Sequence, residues 1–199
     1  MHVEVVSTFA EILDRGLAMV GVDMPIGLPD AGPRACDREA RRLIGPRRSS
    51  IFPVPPRAVL GASSYAEALA RCRTVDGRGL STQAFNLVAR IAEVDALVSP
   101  EDATVVEVSP EASFATMAGA PLPHAKRTAE GRTARVALLA GHLPGATEVV
   151  EPRPRGARPD DVLDALAVAW TARRVVAGTA GQLGDGARDG QGRTMSIWV

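Results

Sequence analysis

Lysine is almost absent from this chain, although its content of basic residues is ordinary. Lys126 is the only lysine among 23 Lys and Arg residues, which 23 Asp and Glu residues balance to a formal net charge of zero. A chain without net charge has no overall field to attract a polyanion, so a nucleic-acid ligand would need a local basic patch. Arginine cannot supply a compact, titratable ammonium, so Lys126 is either a functional residue or a chance survivor.

Aromatic residues, cysteines and long apolar runs are also scarce. Aromatic residues make up 4% of 199 residues, so the core must be built from Ala, Val, Leu and Ile. No run approaches the ~18–20 apolar residues of a membrane span, and no basic, then apolar, leader is recognisable. Cys36 and Cys72 lack the spacing of a metal or redox motif. We therefore expect a cytoplasmic protein with free thiols and no membrane association, a disulfide between the two cysteines being the less favoured alternative.

The hydrophobic pattern predicts an α/β domain. Residues 2–6 alternate as a strand, 8–15 follow a helical period, and 17–23 form a near-continuous apolar strand, an order typical of parallel sheets. Further strands are predicted over residues 104–108 and 195–199, and the stretch 31–99 is predicted to be a helical insert. Helices are predicted over residues 34–43, 65–73, 81–98, 112–117, 128–143 and 160–177. No repeat or boundary divides residues 1–199, and we expect the glycine-rich stretch 178–193 to be flexible.

Asp23 is the first candidate site residue, because it stands at the end of an apolar strand. A carboxylate there loses water, which is costly unless it is hydrogen-bonded or bound to a metal. Pro25 and Gly27 end the strand sharply, in the crevice where open α/β sheets bind ligands. The alternative is a turn aspartate that bonds its own backbone.

Three aspartates open the last predicted helix. Asp160 and Asp161 can be explained as caps of its first turn, but Asp164 lies one turn deeper, where the helix should be apolar. Asp161 and Asp164 share a helix face, and two close carboxylates repel unless they are protonated or bridged by a cation. The pattern therefore indicates a divalent-metal site, with helix capping as the alternative.

Further acidic and basic residues are candidates of lower weight. Glu107 ends a strand and is a possible additional ligand, whereas Glu111 is adequately explained as opening the next helix. A basic stripe on one helix and the loop after it favours either a phosphate track or a solvated face; it comprises Arg34, Arg38, Arg41, Arg42, Arg47 and Arg48. Lys126 precedes a predicted helix and is a second candidate for holding a phosphate.

Seven blocks in order carry a resemblance to a known family. They are residues 23–29, 36–41, 49–53, 79–84, 107–111, 126–132 and 160–165. On these blocks the chain resembles the domain-of-unknown-function family 429, whose members are described as ribonuclease H-like nucleases. The run 161–167 is also similar to the last-helix acidic motif of the Holliday junction resolvases, in the same superfamily.

The resemblance implies a mixed sheet flanked by helices, with carboxylates from separate elements meeting at its centre. It implies that Asp23, Asp161 and Asp164 bind two Mg²⁺ or Mn²⁺ ions and that nucleic-acid phosphodiesters are hydrolysed. From the residues themselves we add Glu107 as a further catalytic acid, and the predicted phosphate contacts are Arg34, Arg38, Arg41, Arg47, Arg48 and Lys126. A non-catalytic nucleic-acid-binding or regulatory protein of the same fold is the alternative. Phosphoryl transfer to a small molecule is a third, which no glycine-rich nucleotide loop supports.

The chain departs from the family pattern at two places. Ser109 stands where the pattern has a histidine before Pro110 and Glu111. No first β-hairpin with its aspartate precedes the strand that ends at Asp23. Because that hairpin would supply a central strand and an acid, we expect an incomplete domain with weak or no nuclease activity.

Overall fold

The computed structural model describes all 199 residues as an α/β protein with many helices and a small sheet. The helices are α1 (Ala10–Leu13), α2 (Ala35–Leu43), α3 (Tyr65–Asp76), α4 (Thr82–Leu97), α5 (Pro110–Ala118), α6 (Ala129–His142), α7 (Thr147–Val150) and α8 (Pro159–Val176). The strands are β1 (Val20–Val22), β2 (Val105–Glu107), β3 (Gln182–Leu183) and β4 (Ile197–Trp198). Short 3₁₀ segments occupy Gly45–Ser50 and Arg57–Val59.

The sheet is centred on two parallel strands. β1 pairs with β2 in a register that places Val20 opposite Val105 and Val22 opposite Glu107. β3 and β4 pair antiparallel, and one parallel bridge between Val108 and Trp198 sets β4 beside the end of β2. Because β1 and β2 run in the same direction, the residues that follow them lie at one edge of the sheet.

Helix α8 packs closely on β1. A side-chain carbon added at Gly21 would lie 2.7 Å from Cγ1 of Val168, so the missing side chain at Gly21 allows this approach. On its other side α8 buries Leu163, Leu166 and Trp170 in the largest core cluster, which it shares with α2, α5 and α6. The turn of α8 that carries Asp164 is therefore held against both the sheet and the helices.

The stretch between β1 and β2 is helical, as predicted, and carries a small core of its own. Val59, Cys72, Leu80 and Val88 pack together there. A second small cluster connects this layer to the turn after β1 through Leu28. Both cysteines are buried and free, as predicted, since Cys36 belongs to the main core and Cys72 to the insert.

Helix positions were predictable to within a few residues because their ends carry local signals. The side chain of Ser81 accepts a hydrogen bond from the backbone N–H of Ala84 at the start of α4, as an N-cap serine does. Thr128 caps α6 in the same way through the N–H of Gly131. These contacts lie within one turn, so the sequence pattern contains them.

The predicted strand over residues 2–6 is wrong. These residues form no strand, and Val3 packs against the main core instead. Alternating apolar residues fit a half-buried strand, but a strand also needs a partner that accepts its backbone hydrogen bonds. No strand pairs with this segment.

The stretch 178–193, predicted to be flexible, makes defined contacts with the rest of the fold. It contains β3, and the buried side chain of Asp189 accepts hydrogen bonds from the backbone N–H groups of Leu28, Gln191 and Arg193. Asp189 also forms an ion pair with Arg57 of the insert. The glycines of residues 178–193 bend the chain, and long-range ion pairs hold this stretch in place.

No helix in the structure is both long enough and apolar enough to cross a bilayer.

Two glycines of α6 provide a matched test of the close contact between this helix and the loop before it. A side-chain carbon at Gly131 would lie 1.9 Å from the carbonyl oxygen of Ala125, whereas Gly141 has nothing within 4 Å. We expect Gly131→Ala to lower the free energy of unfolding by about 1–3 kcal/mol through overpacking. Gly141→Ala should raise it by about 0.5–1 kcal/mol through helix propensity. Urea denaturation measures both, and a Gly131→Ala variant as stable as the wild type would contradict the close approach.

Candidate active site

A cleft of about 230 Å³ opens where β1 and β2 end. Its floor is charged and its side wall is apolar. The charged lining residues are Asp23, Arg34, Asp37, Glu107, Glu111, Lys126 and Asp164. The apolar wall includes Ile51, Phe52, Val54 and Leu87, contributed by the helical insert, and Gln83 lies beside them. The cleft thus offers charged groups together with apolar surface that a flat group can cover.

The centre of the cleft contains Asp23, Lys126 and Asp164. Asp23 follows β1, Asp164 lies one turn into α8, and Lys126 lies in the loop before α6. The Lys126 Nζ atom lies 2.5 Å from Oδ2 of Asp164. Three elements that are far apart in the chain therefore meet at one ion pair beside one further carboxyl group.

Asp23 differs from the other carboxyl groups of the cleft because it forms no ion pair of its own. Desolvation by the surrounding protein and, as a smaller cause, the nearby charge of Asp164 raise the pKa of Asp23 to about 8. Lys126 acts in the opposite direction. Solvent reaches the exposed Asp23 side chain through the cleft mouth and screens part of this effect. Asp23 therefore holds a proton to a higher pH than an ordinary aspartate.

The pKa values of Lys126 and Asp164 are both raised above their ordinary values. Burial raises the pKa of Asp164, and the hydrogen bond and charge of Lys126 oppose that rise. Burial by itself would lower the pKa of Lys126. The hydrogen bond to Asp164 and the charges of Asp164 and Asp23 outweigh this effect, so the net pKa of Lys126 is raised. A charged ammonium thus lies within the cleft at neutral pH.

A buried ion pair lies beneath this centre. The side chain of Arg34 is fully buried and donates to the two oxygens of Glu107 at 2.7 and 2.6 Å, and to Asp37 at 2.6 Å. Arg34 also donates to the carbonyl oxygens of Ile26 and Gly27, and Glu107 accepts from the N–H of Ile26 at 2.7 Å. The pair therefore fixes the turn that follows Asp23.

A second buried pair anchors the loop that carries Lys126. Arg135 donates to both oxygens of Glu111 at 2.8 Å and to the carbonyl oxygens of His124 and Gly131. Glu111 lies in the first turn of α5 and Arg135 in α6. This pair connects the start of α5, which follows β2, to the backbone just before Lys126.

The structure brings only part of the predicted metal-ligand set together. Asp23 and Asp164 share the cleft, but Asp161 is exposed and accepts a hydrogen bond from the backbone N–H of Arg158 at 2.9 Å, as a cap of α8. Both oxygens of Glu107 are engaged by Arg34. No group of three His, Cys, Asp or Glu side chains is arranged to hold a metal.

The donor set present fits one magnesium ion and not two. Asp23 and Asp164 supply hard oxygen ligands, and Mg²⁺ commonly binds through one or two carboxylates while it keeps several water ligands. A second ion would need further free carboxylates, and Glu107 and Glu111 are already neutralised by arginines.

The predicted basic track is divided by the structure. Arg34 is buried in its ion pair, and Arg41 donates to the carbonyl oxygen of Ile51, so both hold the fold rather than a phosphate. Arg38 and Arg48 are exposed and Arg47 is half-buried. Arg38 donates to the carbonyl oxygen of Pro33 and Lys126 to Asp164, so Arg47 and Arg48 are the members of the predicted set without a side-chain partner.

Several residues that shape the cleft were not predicted. Arg135 was missed because its partner Glu111 lies in the preceding helix. Asp37 pairs with Arg34 only three residues away, but its burial beside Glu107 is set by packing between distant elements. Phe52 and Gln83 lie within two of the seven blocks, which was the only available signal. Ser109 lines the cleft, but it is buried and its Oγ accepts from the N–H of Ala112, so it caps α5.

Removing Arg34 tests the buried pair. Arg34→Met leaves the buried carboxylates of Glu107 and Asp37 without a cation, so we expect the free energy of unfolding to fall by roughly 3–5 kcal/mol. Arg38→Met removes an exposed arginine near the start of the same helix, and it should change the free energy of unfolding by less than about 0.5 kcal/mol. Equal denaturation midpoints of the two variants would contradict the structural role of Arg34.

The raised pKa of Asp23 predicts a pH-dependent gain in stability for Asp23→Asn. Between the ordinary pKa of 3.8 and the folded-state pKa of about 8, the folded protein holds a proton that the unfolded chain has released. Wild-type stability therefore falls as pH rises through this window. The melting temperature of Asp23→Asn should exceed that of the wild type by an amount that grows from pH 4 to pH 8. If the difference in melting temperature between Asp23→Asn and the wild type does not change with pH, the pKa of Asp23 is not raised.

Comparison with known proteins agrees with the resemblance drawn from the sequence blocks. The model of a family described as "Protein of unknown function (DUF429)" matches residues 1–188. No curated protein and no solved structure matches the chain. The match spans all seven blocks and every residue of the cleft described here except Ile197. The chain therefore belongs to the DUF429 family.

Proposed function

We propose that the cleft is the active site of a hydrolase that cleaves phosphodiester bonds of nucleic acid with a divalent cation. The observation that carries the proposal is the meeting of Asp23 and Asp164 with Lys126 at the carboxyl ends of two parallel strands. Open α/β sheets bind their ligands at this edge. Two carboxylates and a lysine together suit a cation and the phosphate that it contacts.

Asp23 and Asp164 are the residues that would hold one Mg²⁺ or Mn²⁺ ion. When bound there, the ion supplies Lewis-acid stabilisation of the charge that develops on a phosphate oxygen. Lys126 contributes a charged ammonium on the same side of the cleft. We assign neighbouring phosphates to Arg47 and Arg48, which precede the cleft residues Ser50 to Phe52 in the chain, and to the exposed Arg38 of α2.

The apolar wall suits the base of a nucleotide. Phe52 is half-buried and lines the cleft beside Leu87, so a base can pack on it and displace water. Aromatic side chains bind bases of single-stranded nucleic acid with little sequence preference. Gln83 is exposed at the start of α4, and its amide can both donate to and accept from a base edge.

We also propose that the sheet is of the ribonuclease H-like type. The support is the parallel pair β1 and β2, the carboxylates at its carboxyl end, and the crossing of β1 by the last helix. The seven sequence blocks are further support, because they place Asp23 and Asp164 on the matching elements.

A second candidate is a non-catalytic nucleic-acid-binding or regulatory protein. It is favoured by one observation: of the four acids predicted to be catalytic, Glu107 is neutralised by Arg34 and Asp161 caps a helix. The cleft then retains two acids and a lysine, which can bind a phosphate without cleaving it.

Cleavage assays with matched aspartate variants test the proposal. The substrates are single-stranded, duplex, hybrid and branched nucleic acids, each with Mg²⁺, Mn²⁺ or a chelator. We expect metal-dependent cleavage by the wild type and a loss of roughly 100-fold or more in Asp164→Asn, equivalent to about 2.7 kcal/mol of barrier. Asp161→Asn, which alters an exposed cap three residues away, should retain a rate within about threefold of the wild type once differences in stability are accounted for.

Two results would count against the hydrolase. Salt-dependent binding without cleavage of any substrate would select the non-catalytic protein. Equal losses in the Asp161 and Asp164 variants would indicate that the cleft centre described here is not the reacting site.

A further inference from the structure

Lys126 occupies the place where a cation would contact Asp164. Its ammonium lies 2.5 Å from Oδ2 of Asp164, and the charges of Asp23 and Asp160 also act on it. One of the two carboxylates available to a metal is therefore already neutralised by the only lysine of the chain. A metal ion and this ammonium cannot both lie against the same oxygen, because their positive charges repel.

The backbone before Lys126 is fixed, whereas its head group is free to move. Arg135 donates to the carbonyl oxygen of His124, and the absence of a side chain at Gly131 lets Ala125 pack directly on α6. The side chain of Lys126 is 39% exposed, in contrast to 16% for Asp164. The ammonium can therefore leave Asp164 by rotation of its flexible four-carbon stem, without any movement of the loop.

A displaced ammonium in this cleft needs an anionic partner. The other cleft carboxylates Glu107, Asp37 and Glu111 are engaged by the buried arginines, and a bound cation would take Asp23 and Asp164. Asp160 is the one other carboxylate whose charge reaches Lys126, and the phosphate of a nucleic-acid substrate is the anion that can approach from the cleft mouth together with the cation.

We propose that Lys126 competes with the divalent cation for Asp164 and, once displaced, binds the substrate phosphate, so that cation and phosphate bind cooperatively. The proposal rests on the proposed function, since it assigns both ligands to the same cleft. Without a phosphate, Lys126 holds Asp164 and weakens cation binding. With a phosphate present, the ammonium turns to it and frees Asp164. Linkage requires the cation to raise the affinity for the phosphate by the same factor.

Calorimetric titration of Mg²⁺ tests this coupling without any cleavage step. The proteins are the wild type, Lys126→Met and the control Arg127→Met, which removes the adjacent exposed arginine. Each is titrated alone and with saturating thymidine 5′-monophosphate as the phosphate probe. For the wild type we expect the nucleotide to raise Mg²⁺ affinity about tenfold, a coupling of ordinary size. Lys126→Met should bind Mg²⁺ alone about tenfold more tightly than the wild type and show no gain from the nucleotide.

The remaining outcomes separate this inference from the proposed function. Arg127→Met should match the wild type, and circular dichroism confirms that each variant is folded, with Lys126→Gln replacing Lys126→Met if the latter is not. Equal Mg²⁺ affinity of wild type and lysine variants, with coupling intact, overturns the role of Lys126 even if the protein cleaves nucleic acid. Lysine-dependent coupling without cleavage upholds the role of Lys126 and rejects the hydrolase. No Mg²⁺ binding to any of these proteins overturns both.

Discussion

The buried ion pair between Arg34 and Glu107 is the interaction on which the rest of the site depends. It joins the residue that precedes α2 to the last residue of β2, and it also holds the carbonyl oxygens of the turn after β1. A buried guanidinium and carboxylate tolerate the loss of water only when nearly all their hydrogen bonds are made. Here Asp37 and the backbone of the turn complete them. The requirement to satisfy these two charges thus fixes the position of the backbone next to Asp23.

Charge pairing also explains which acids can act in the cleft. Glu107 and Asp37 are paired with Arg34, and Glu111 is paired with Arg135. These acids are held in the interior as structural anions. Asp164 has a more exposed and more mobile partner in Lys126, and Asp23 has none. The acidic lining of the cleft therefore contains two chemically available oxygen groups at one place, which is why we assign the cation and the phosphate to that place.

The helices and the central strands were predictable because their signals are local. Ser81 and Thr128 cap the helices that follow them within one turn, and the apolar run before Asp23 is too short and too continuous for a surface helix. The strand predicted over residues 2–6 was wrong because strand pairing is not local, and the contacts of residues 178–193 were not predictable for the same reason. A strand needs a partner strand, and the glycine-rich stretch is held by Asp189, whose partners Arg57 and Leu28 are more than a hundred residues away.

The sequence by itself determined the residue types, the order of the seven blocks, the membership in the DUF429 family and the candidates Asp23 and Asp164. Only the tertiary structure decided which of the candidate charges are free. The pattern assigned both Asp161 and Asp164 to a metal site, with capping as the alternative, yet the first bonds the backbone of Arg158 and the second faces Lys126. Arg34 and Arg38 lie one helical turn apart, yet one is buried and the other is exposed. The reason is that the burial of a charge and the burial of its partner decide its availability for chemistry, and both are set by packing between elements that are far apart in the chain.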